Sequence, residues 1–511
     1  MIGRYTHYLQ PLIYHSLCRS KSPPKPRQAT VRTLYDPSDP SQKVDANALI
    51  LYFPAPRTVT GEDVLEFHVH GGNAVVKAVL AAISRSNLLK IRYAEPGEFT
   101  RRAFYNNRLD LTEVEALGDT LSAETEQQRQ LAIRGSSNAL GERYESWRQK
   151  LLYARGELEA LIDFSEDQQF DDTPDILLAS VAKQVEKLKI LLQTSIKNAF
   201  RGELLRNGIR VALVGAPNVG KSSLLNSIVR REAAIVSEEA GTTRDVVEVG
   251  VDIGGFYCRF GDLAGLRSSS DTTLPVGEIE LEGMRRARER ALEADIVVVV
   301  LCIENESERV HIPSEVEEVL QKLDKERQDV IYVINKADLL PPSVDHENML
   351  QRLKRTVARN NFPSPHQPFL MSCIDQQRLT DAHGTSHGIQ NFIQGLVQVF
   401  RSKTSAILPD DVDLSGVFAS KESWAESIGA SERHRVLLQQ CLSHLEEFLA
   451  SCPAVRGKSS DQLEAADIDV VVAAENLRNA AGCLAKITGK GEEGDVEEVL
   501  GVVFEKFCVG K

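Results

Sequence analysis

Residues Gly215-Ala-Pro-Asn-Val-Gly220-Lys221-Ser222 fit the spacing G-x-x-x-x-G-K-[ST], between an apolar run at 211–214 and a helix-like stretch at 222–229. Strand, glycine-rich turn and helix in that order form a phosphate loop, because glycines let backbone N–H groups converge on phosphate oxygens. Lys221 then supplies a point charge for the β- and γ-phosphates, and the Ser222 hydroxyl can complete magnesium coordination. Such a loop needs a parallel sheet behind it, so residues 206–402, where strand and helix patterns alternate, read as a doubly wound α/β domain.

Three further motifs follow in order. Asp262-Leu-Ala-Gly265 comes after the strand-like segment 256–260; its carboxylate can hold magnesium through water, and Gly265 leaves an N–H for the γ-phosphate. Asn335-Lys336-Ala337-Asp338 ends the apolar run 330–334. A carboxylate there accepts two hydrogen bonds from the N1–H and exocyclic amine of guanine, whereas adenine would leave it buried and unpaired. Met371-Ser372-Cys373 follows Phe369-Leu370 and can aim backbone donors at the guanine oxygen. The expected GTP site therefore has a phosphate end (Asn218, Val219, Gly220, Lys221, Ser222, Ser223, Asp262, Gly265) and a base end (Asn335, Lys336, Asp338, Ser372, Cys373).

At 511 residues the chain has room for about three domains. Its 26% charged and 42% apolar residues suit a soluble globular protein with a sizeable core. A net charge of −13 argues against tight electrostatic binding of nucleic acid by the whole surface; RNA contact needs a local patch or a partner. Eight cysteines without a C-x-x-C pair point to a reducing compartment. The longest apolar run, 296–303, is too short to cross a bilayer and reads as a buried parallel strand, so no membrane segment is expected.

Residues 31–107 read as a small α+β domain, with period-two alternation over 64–70 and an apolar helix at 73–83. Residues 108–205 and 403–511 read as two parts of one all-α domain, a bundle into which the nucleotide domain is inserted. The first 35 residues carry no acid, and 1–30 read as a basic unstructured or transit-like segment: a mitochondrial targeting stretch, a disordered tail or a mispredicted start.

Asn218, the string Glu232-Ala-Ala-Ile-Val-Ser-Glu-Glu-Ala-Gly-Thr-Thr-Arg-Asp245 and the two helical flanks together resemble the MnmE (TrmE) family, GTPases that modify the wobble uridine of certain tRNAs. The likeness extends to Thr60-Gly-Glu-Asp-Val-Leu-Glu66, His70-Gly71-Gly72, Pro96-Gly-Glu-Phe-Thr-Arg-Arg-Ala-Phe104, Arg108-Leu-Asp-Leu111 and Phe507-Cys508-Val-Gly-Lys511. It covers roughly residues 45–511.

The resemblance implies that Asn218, Ser237, Glu239 and Thr242 hold a potassium ion beside the phosphates, and that Thr243 joins Ser222 on magnesium. Potassium would supply the positive charge that an arginine finger brings elsewhere. Leu266 and Arg267 stand after Gly265, so a water-orienting glutamine is missing; the matching glutamate is Glu280, with Glu278 and Glu282 as alternatives. Leu263 stands where the family usually has threonine.

In the N-terminal block the alternation puts Glu66, His68 and His70 on one face and Leu65, Phe67 and Val69 on the other. By resemblance that face belongs to a pocket for 5,10-methylenetetrahydrofolate or a related folate, with Glu66 on the pterin and Arg108 and Lys511 on the glutamate tail. Family members normally begin with a glycine-rich segment bearing an arginine. Residues 1–30 do not match it, which implies an atypical or truncated N-terminus and an incomplete pocket. Cys508 matches the family's functional thiol. The resemblance further implies a homodimer, an FAD-binding MnmG-type partner and a tRNA substrate, in the mitochondrial matrix or otherwise in the cytoplasm. An Era- or Der-like RNA-binding switch in ribosome assembly is the alternative reading of the nucleotide motifs.

Overall fold

The run Ile296-Val-Val-Val-Val-Leu-Cys is buried along almost its whole length, as a strand covered on both faces must be. The structure, a computed structural model, describes residues 2–3, 9–19, 22, 24–86, 91–136, 139–164, 174–232, 235–237, 248–261, 285, 288–303, 311–325, 327–340, 346–363, 366–373, 388–409, 424–452 and 470–490. Contacts divide the chain into two units: residues 1–122, 135–189 and 437–511 form one, and residues 123–134 and 190–436 form the other.

The first unit opens with β1 (Ile2–Gly3), which pairs with β5 (Ile91–Arg92). Strands β2 (Thr30–Tyr35), β3 (Lys43–Phe53) and β4 (Val64–His68) make an antiparallel sheet in that order. Helices α1 (Leu9–Cys18) and α2 (Asn73–Ser84) cover it. Here the sequence reading needs correction. Within the stretch expected to be unstructured, α1 is a helix whose Tyr14, Leu17 and Cys18 are buried with Leu34, Ala48 and Ile50. Pro11 lies in its first turn, where a missing N–H costs nothing. The Tyr14 hydroxyl accepts from Arg32 Nε at 3.0 Å, which ties the helix to β2. Basic composition concealed an amphipathic face only ten residues long.

Helix α3 (Glu98–Tyr105) leads into the helical part of the same unit: α4 (Leu111–Ser122), α6 (Ala139–Phe164) and α13 (Val470–Thr488), with the unit's share of α7 (Pro174–Asn207) and α12 (Glu432–Ser451). Tyr144, Trp147, Leu151 and Leu158 of α6 and Leu477, Ala480 and Leu484 of α13 are buried at helical spacing.

The second unit is built on the seven-stranded sheet β12-β11-β10-β6-β9-β8-β7. Its strands are β6 (Ile209–Val214), β7 (Ile235–Ser237), β8 (Glu248–Ile253), β9 (Phe256–Gly261), β10 (Ile296–Cys302), β11 (Asp329–Asn335) and β12 (Phe369–Leu370). The run from β12 to β9 is parallel, and β8 and β7 add an antiparallel edge. On one face α9 (Ser314–Lys322) and α10 (His346–Arg359) pack through Val316, Leu320, Met349, Leu353 and Val357. On the other, α8 (Lys221–Glu232) and α11 (Ile389–Thr404) contribute Leu224, Ile228, Phe392 and Phe400. Helix α5 (Glu126–Gly135) joins this unit rather than the bundle expected over 108–205: Gln128 Nε2 donates to the Arg206 carbonyl and Leu131 enters the same core.

The last turns of α7 are fixed here too. Asn198, fully buried, accepts the Ile407 N–H at 2.7 Å and donates to the Ile407 carbonyl and the Ser427 hydroxyl, each at 2.9 Å. One turn on, Gly202 meets the segment 424–430. In a free helix alanine is favoured over glycine by about 1 kcal/mol. At this site an added Cβ would lie 1.8 Å from the Ile428 carbonyl oxygen, so the backbone must move. Gly202→Ala is expected to cost about 3 kcal/mol and to lower the unfolding midpoint by several degrees. An unchanged midpoint would show that the contact yields freely.

Candidate nucleotide site

Every described motif of the nucleotide reading falls at the C-terminal ends of the parallel strands, where ligands bind in open α/β sheets. β6 ends at Val214, the loop turns through 215–220, and α8 starts at Lys221. Gly215 passes so close to β10 that a Cβ would sit 2.2 Å from the Val300 carbonyl oxygen. Gly220 has φ +98°, and its Cβ would lie 2.1 Å from Asn335 Nδ2. The loop is thus a cradle that side chains would fill, and it suits a phosphate chain held by backbone N–H groups. Asn218 is exposed and left-handed, with φ 60°, a conformation asparagine tolerates better than most residues.

Lys221 Nζ donates to the carbonyls of Gly215 and Ala216, both at 2.8 Å. Burial pulls its pKa below the ordinary lysine value, because a desolvated ammonium has lost its water. Ser222 and Ser223 are exposed on the first turn of α8, and Val219 is buried beneath the loop.

The base end is tied to the phosphate end. Asn335, the last residue of β11, donates from Nδ2 to the Val219 carbonyl at 2.9 Å, a link no motif spacing revealed. Lys336 is left-handed, with φ 62°, and turns the chain into a short 3-10 helix, Ala337–Leu339. Ala337 N–H donates to the Met371 carbonyl at 3.1 Å, while Met371 N–H donates to the Ile334 carbonyl at 2.9 Å. Ser372 is buried and donates from Oγ to Asp338 Oδ1 at 2.5 Å. The Asp338 carboxylate is therefore oriented but exposed, free to accept from a bound base. Burial pushes the Cys373 thiol up, so it stays protonated beside this loop.

Ser237 ends β7, while Glu239, Thr242, Thr243, Asp262, Gly265, Glu280, Cys508 and Lys511 lie outside the described residues. Among the described residues no group of three or more His, Cys, Asp or Glu could hold a metal ion, and no helix is long and apolar enough to cross a membrane.

In the other unit the alternation over 64–70 behaves as read: Leu65, Phe67 and Val69 pack on the core, and Glu66 meets His68 Nε2 at 3.1 Å on the opposite face. His70 is exposed but tied to a buried carboxylate. Buried Asp45 accepts the His70 N–H at 2.9 Å and its Nδ1 at 2.8 Å. Burial opposes ionisation of Asp45, yet these bonds hold its carboxyl below the usual range. Arg108 donates from Nε to the Thr58 carbonyl at 3.1 Å. Nearby, Glu98 is buried among Arg92, Arg102 and the Glu95 N–H; desolvation would raise it, but their hydrogen bonds bring it down to about 2. Asp45 and this arginine network went unread because their partners are distant in sequence or set by a turn.

A phosphate loop and an aspartate-bearing base loop sharing one sheet edge, with Asn335 locking them in register, make this a P-loop GTPase. Residues 111–508 match the family model described as the MnmE helical domain, and residues 9–108 match that of the GTP-binding protein TrmE N-terminus. The chain belongs to the MnmE (TrmE) family. It is 36% identical to a mitochondrial 5-taurinomethyluridine tRNA synthase subunit of Danio rerio, over 96% of this chain and 87% of that protein. Identity is also 36% to the mitochondrial tRNA modification GTPase mss1 of Schizosaccharomyces pombe, over 96% of this chain and 88% of that one. With the tRNA modification GTPase MnmE of Parvibaculum lavamentivorans it is 37%, over 95% and 91%.

Proposed function

We propose that this protein is the GTP-hydrolysing subunit of a tRNA wobble-uridine modification system, of carboxymethylaminomethyl type at position 34, working with an FAD-binding MnmG-type partner. The observation that carries this is the likeness over 96% of the chain to proteins named for tRNA modification. The protein is mitochondrial, as its relatives in Danio rerio, Schizosaccharomyces pombe and Saccharomyces cerevisiae are named. In the proposed architecture the GTPase domain, 206–402, is inserted between helical segments 108–205 and 403–511, behind a folate-binding and dimerising domain at 31–107. Sequence segments on both sides of the nucleotide-binding unit contribute to the other unit, which supports the insertion.

Each residue has a task in this reading. Lys221 leaves its loop carbonyls to meet the β- and γ-phosphates, and Asp338 takes the guanine N1–H and amine. Ser222 and Thr243 hold magnesium; Asn218, Ser237, Glu239 and Thr242 hold potassium. The exposed, left-handed Asn218 suits that role, since its side chain lies at the surface of the loop. Bound potassium supplies positive charge where negative charge develops on the phosphates. Glu280 orients the attacking water. Two nucleotide domains meet across a homodimer in the GTP state and separate after hydrolysis, which drives the modification site. There Glu66, Arg108 and Lys511 bind a one-carbon folate, and Cys508 is the functional thiol.

Hydrolysis in potassium chloride is expected to exceed that in sodium chloride by about tenfold or more. Asn218→Ala should remove the difference while GTP still binds. Equal rates in the two salts would withdraw the cation role from Asn218.

A further inference from the structure

Helix α10 carries Arg352, Arg355 and Arg359 at spacings of three and four residues, all exposed on one flank, with Lys354 on the other. Its inner face, Met349, Leu353 and Val357, is buried against the sheet, so the stripe cannot turn inward. Among the described residues none of these four side chains has a carboxylate partner. The neighbouring acidic helix does not neutralise them: Glu318 of α9 pairs with Arg288 instead, at 3.0 Å. Lys325, held by the Asn361 carbonyl at 2.9 Å, extends the positive end beyond the last turn.

Like charges three or four residues apart on a helix repel by a few tenths of a kcal/mol per pair. Arg359, in the last turn, is relieved by the helix dipole. Arg352 and Arg355 lie further from that end. This concentration of positive charge occurs in a chain whose net charge is −13, so the rest of the surface repels what the stripe attracts. Arg352 and Arg359 are about 10 Å apart along the axis, a span over which several phosphates of a folded RNA lie. The stripe rides on a rigid helix packed to the sheet and contains none of the residues assigned to nucleotide binding.

We propose that the Arg352–Arg355–Arg359 face of α10 is a tRNA-backbone contact. It would position the nucleic acid through phosphates rather than bases. The inference rests on the tRNA reading above and deepens it by naming the surface. Phosphate contacts release counterions, so each contributes about 0.7–0.9 to the slope of log affinity against log salt.

The test is fluorescence anisotropy of a labelled, unmodified tRNA transcript with the full chain loaded with a non-hydrolysable GTP analogue, titrated across potassium chloride. The R352Q/R355Q/R359Q variant is expected to bind about tenfold or more weakly at low salt, with a slope shallower by about 2, and with unchanged GTP hydrolysis. The charge-keeping R352K/R355K/R359K variant should retain most of the slope. A glutamine variant with wild-type affinity and slope would overturn the proposal, as would a loss confined to anionic phosphatidylserine vesicles or to the partner protein. Wild-type protein that ignores tRNA would also overturn it. Nucleoside analysis of tRNA from cells lacking the protein tests the modification reading separately.

Discussion

Asp338→Asn will transfer nucleotide preference from GTP to XTP. In the wild type an exposed carboxylate is held by the Ser372 hydroxyl at 2.5 Å, and in the proposed reading it takes the two donors of guanine. An amide offers one acceptor and one donor, so its N–H₂ confronts the guanine amine and a bond to a charged group is lost. Two such bonds are worth about 1.5–3 kcal/mol each, so GTP binding should weaken by about 10²–10⁴-fold. Xanthine carries a carbonyl where guanine carries its amine, and the asparagine can donate to it. Competition between labelled GTP and XTP for the purified protein reads this directly. Ser372→Ala should cost far less, because it loosens the carboxylate without discharging it. GTP preference that survives Asp338→Asn would remove this loop from base recognition.

Gly220→Ala carries the second large effect, and its cause is geometric. With φ at +98° the residue occupies backbone space that L side chains avoid, and its Cβ would strike Asn335 Nδ2 at 2.1 Å. Asn335 is buried and bonded to the Val219 carbonyl, so it cannot swing aside without breaking the link between the two ends of the site. Strain and the displaced bond together are expected to destabilise the domain by about 2–3 kcal/mol. GTP binding should fall by more than tenfold, since the phosphate loop and base loop shift apart. Thermal unfolding and nucleotide titration check the two parts independently; wild-type values in both would contradict the geometry.

The nucleotide domain was legible because β10 and β11 are buried on both faces and its loops must carry glycine, lysine and aspartate in fixed order. Residues 296–302 could be read from their apolar run alone, and the alternation over 64–70 gave both faces of β4. The start of α12 is closed locally: Ser431 Oγ accepts the His434 N–H and His434 Nδ1 accepts the Ser431 N–H, each at 3.3 Å. What stayed hidden depends on contacts between distant residues. Asn198 looks like any polar helix residue until Ile407, 209 positions on, closes on it. Gln128 gives no sign that α5 belongs with the nucleotide domain until the Arg206 carbonyl meets it. Helix α1 was missed because its burial is carried by three residues amid basic ones, and composition averages them away.

The most direct measurement compares position-34 nucleosides, by mass spectrometry, in mitochondrial tRNA from cells lacking this protein and from the same cells given wild-type or Lys221→Ala protein. Wobble uridines should be unmodified in the first, restored by wild type, and left unmodified by the variant, whose loop no longer has a charge for the phosphates. Full modification without the protein, or with Lys221→Ala in its place, would contradict the coupling of GTP hydrolysis to tRNA modification.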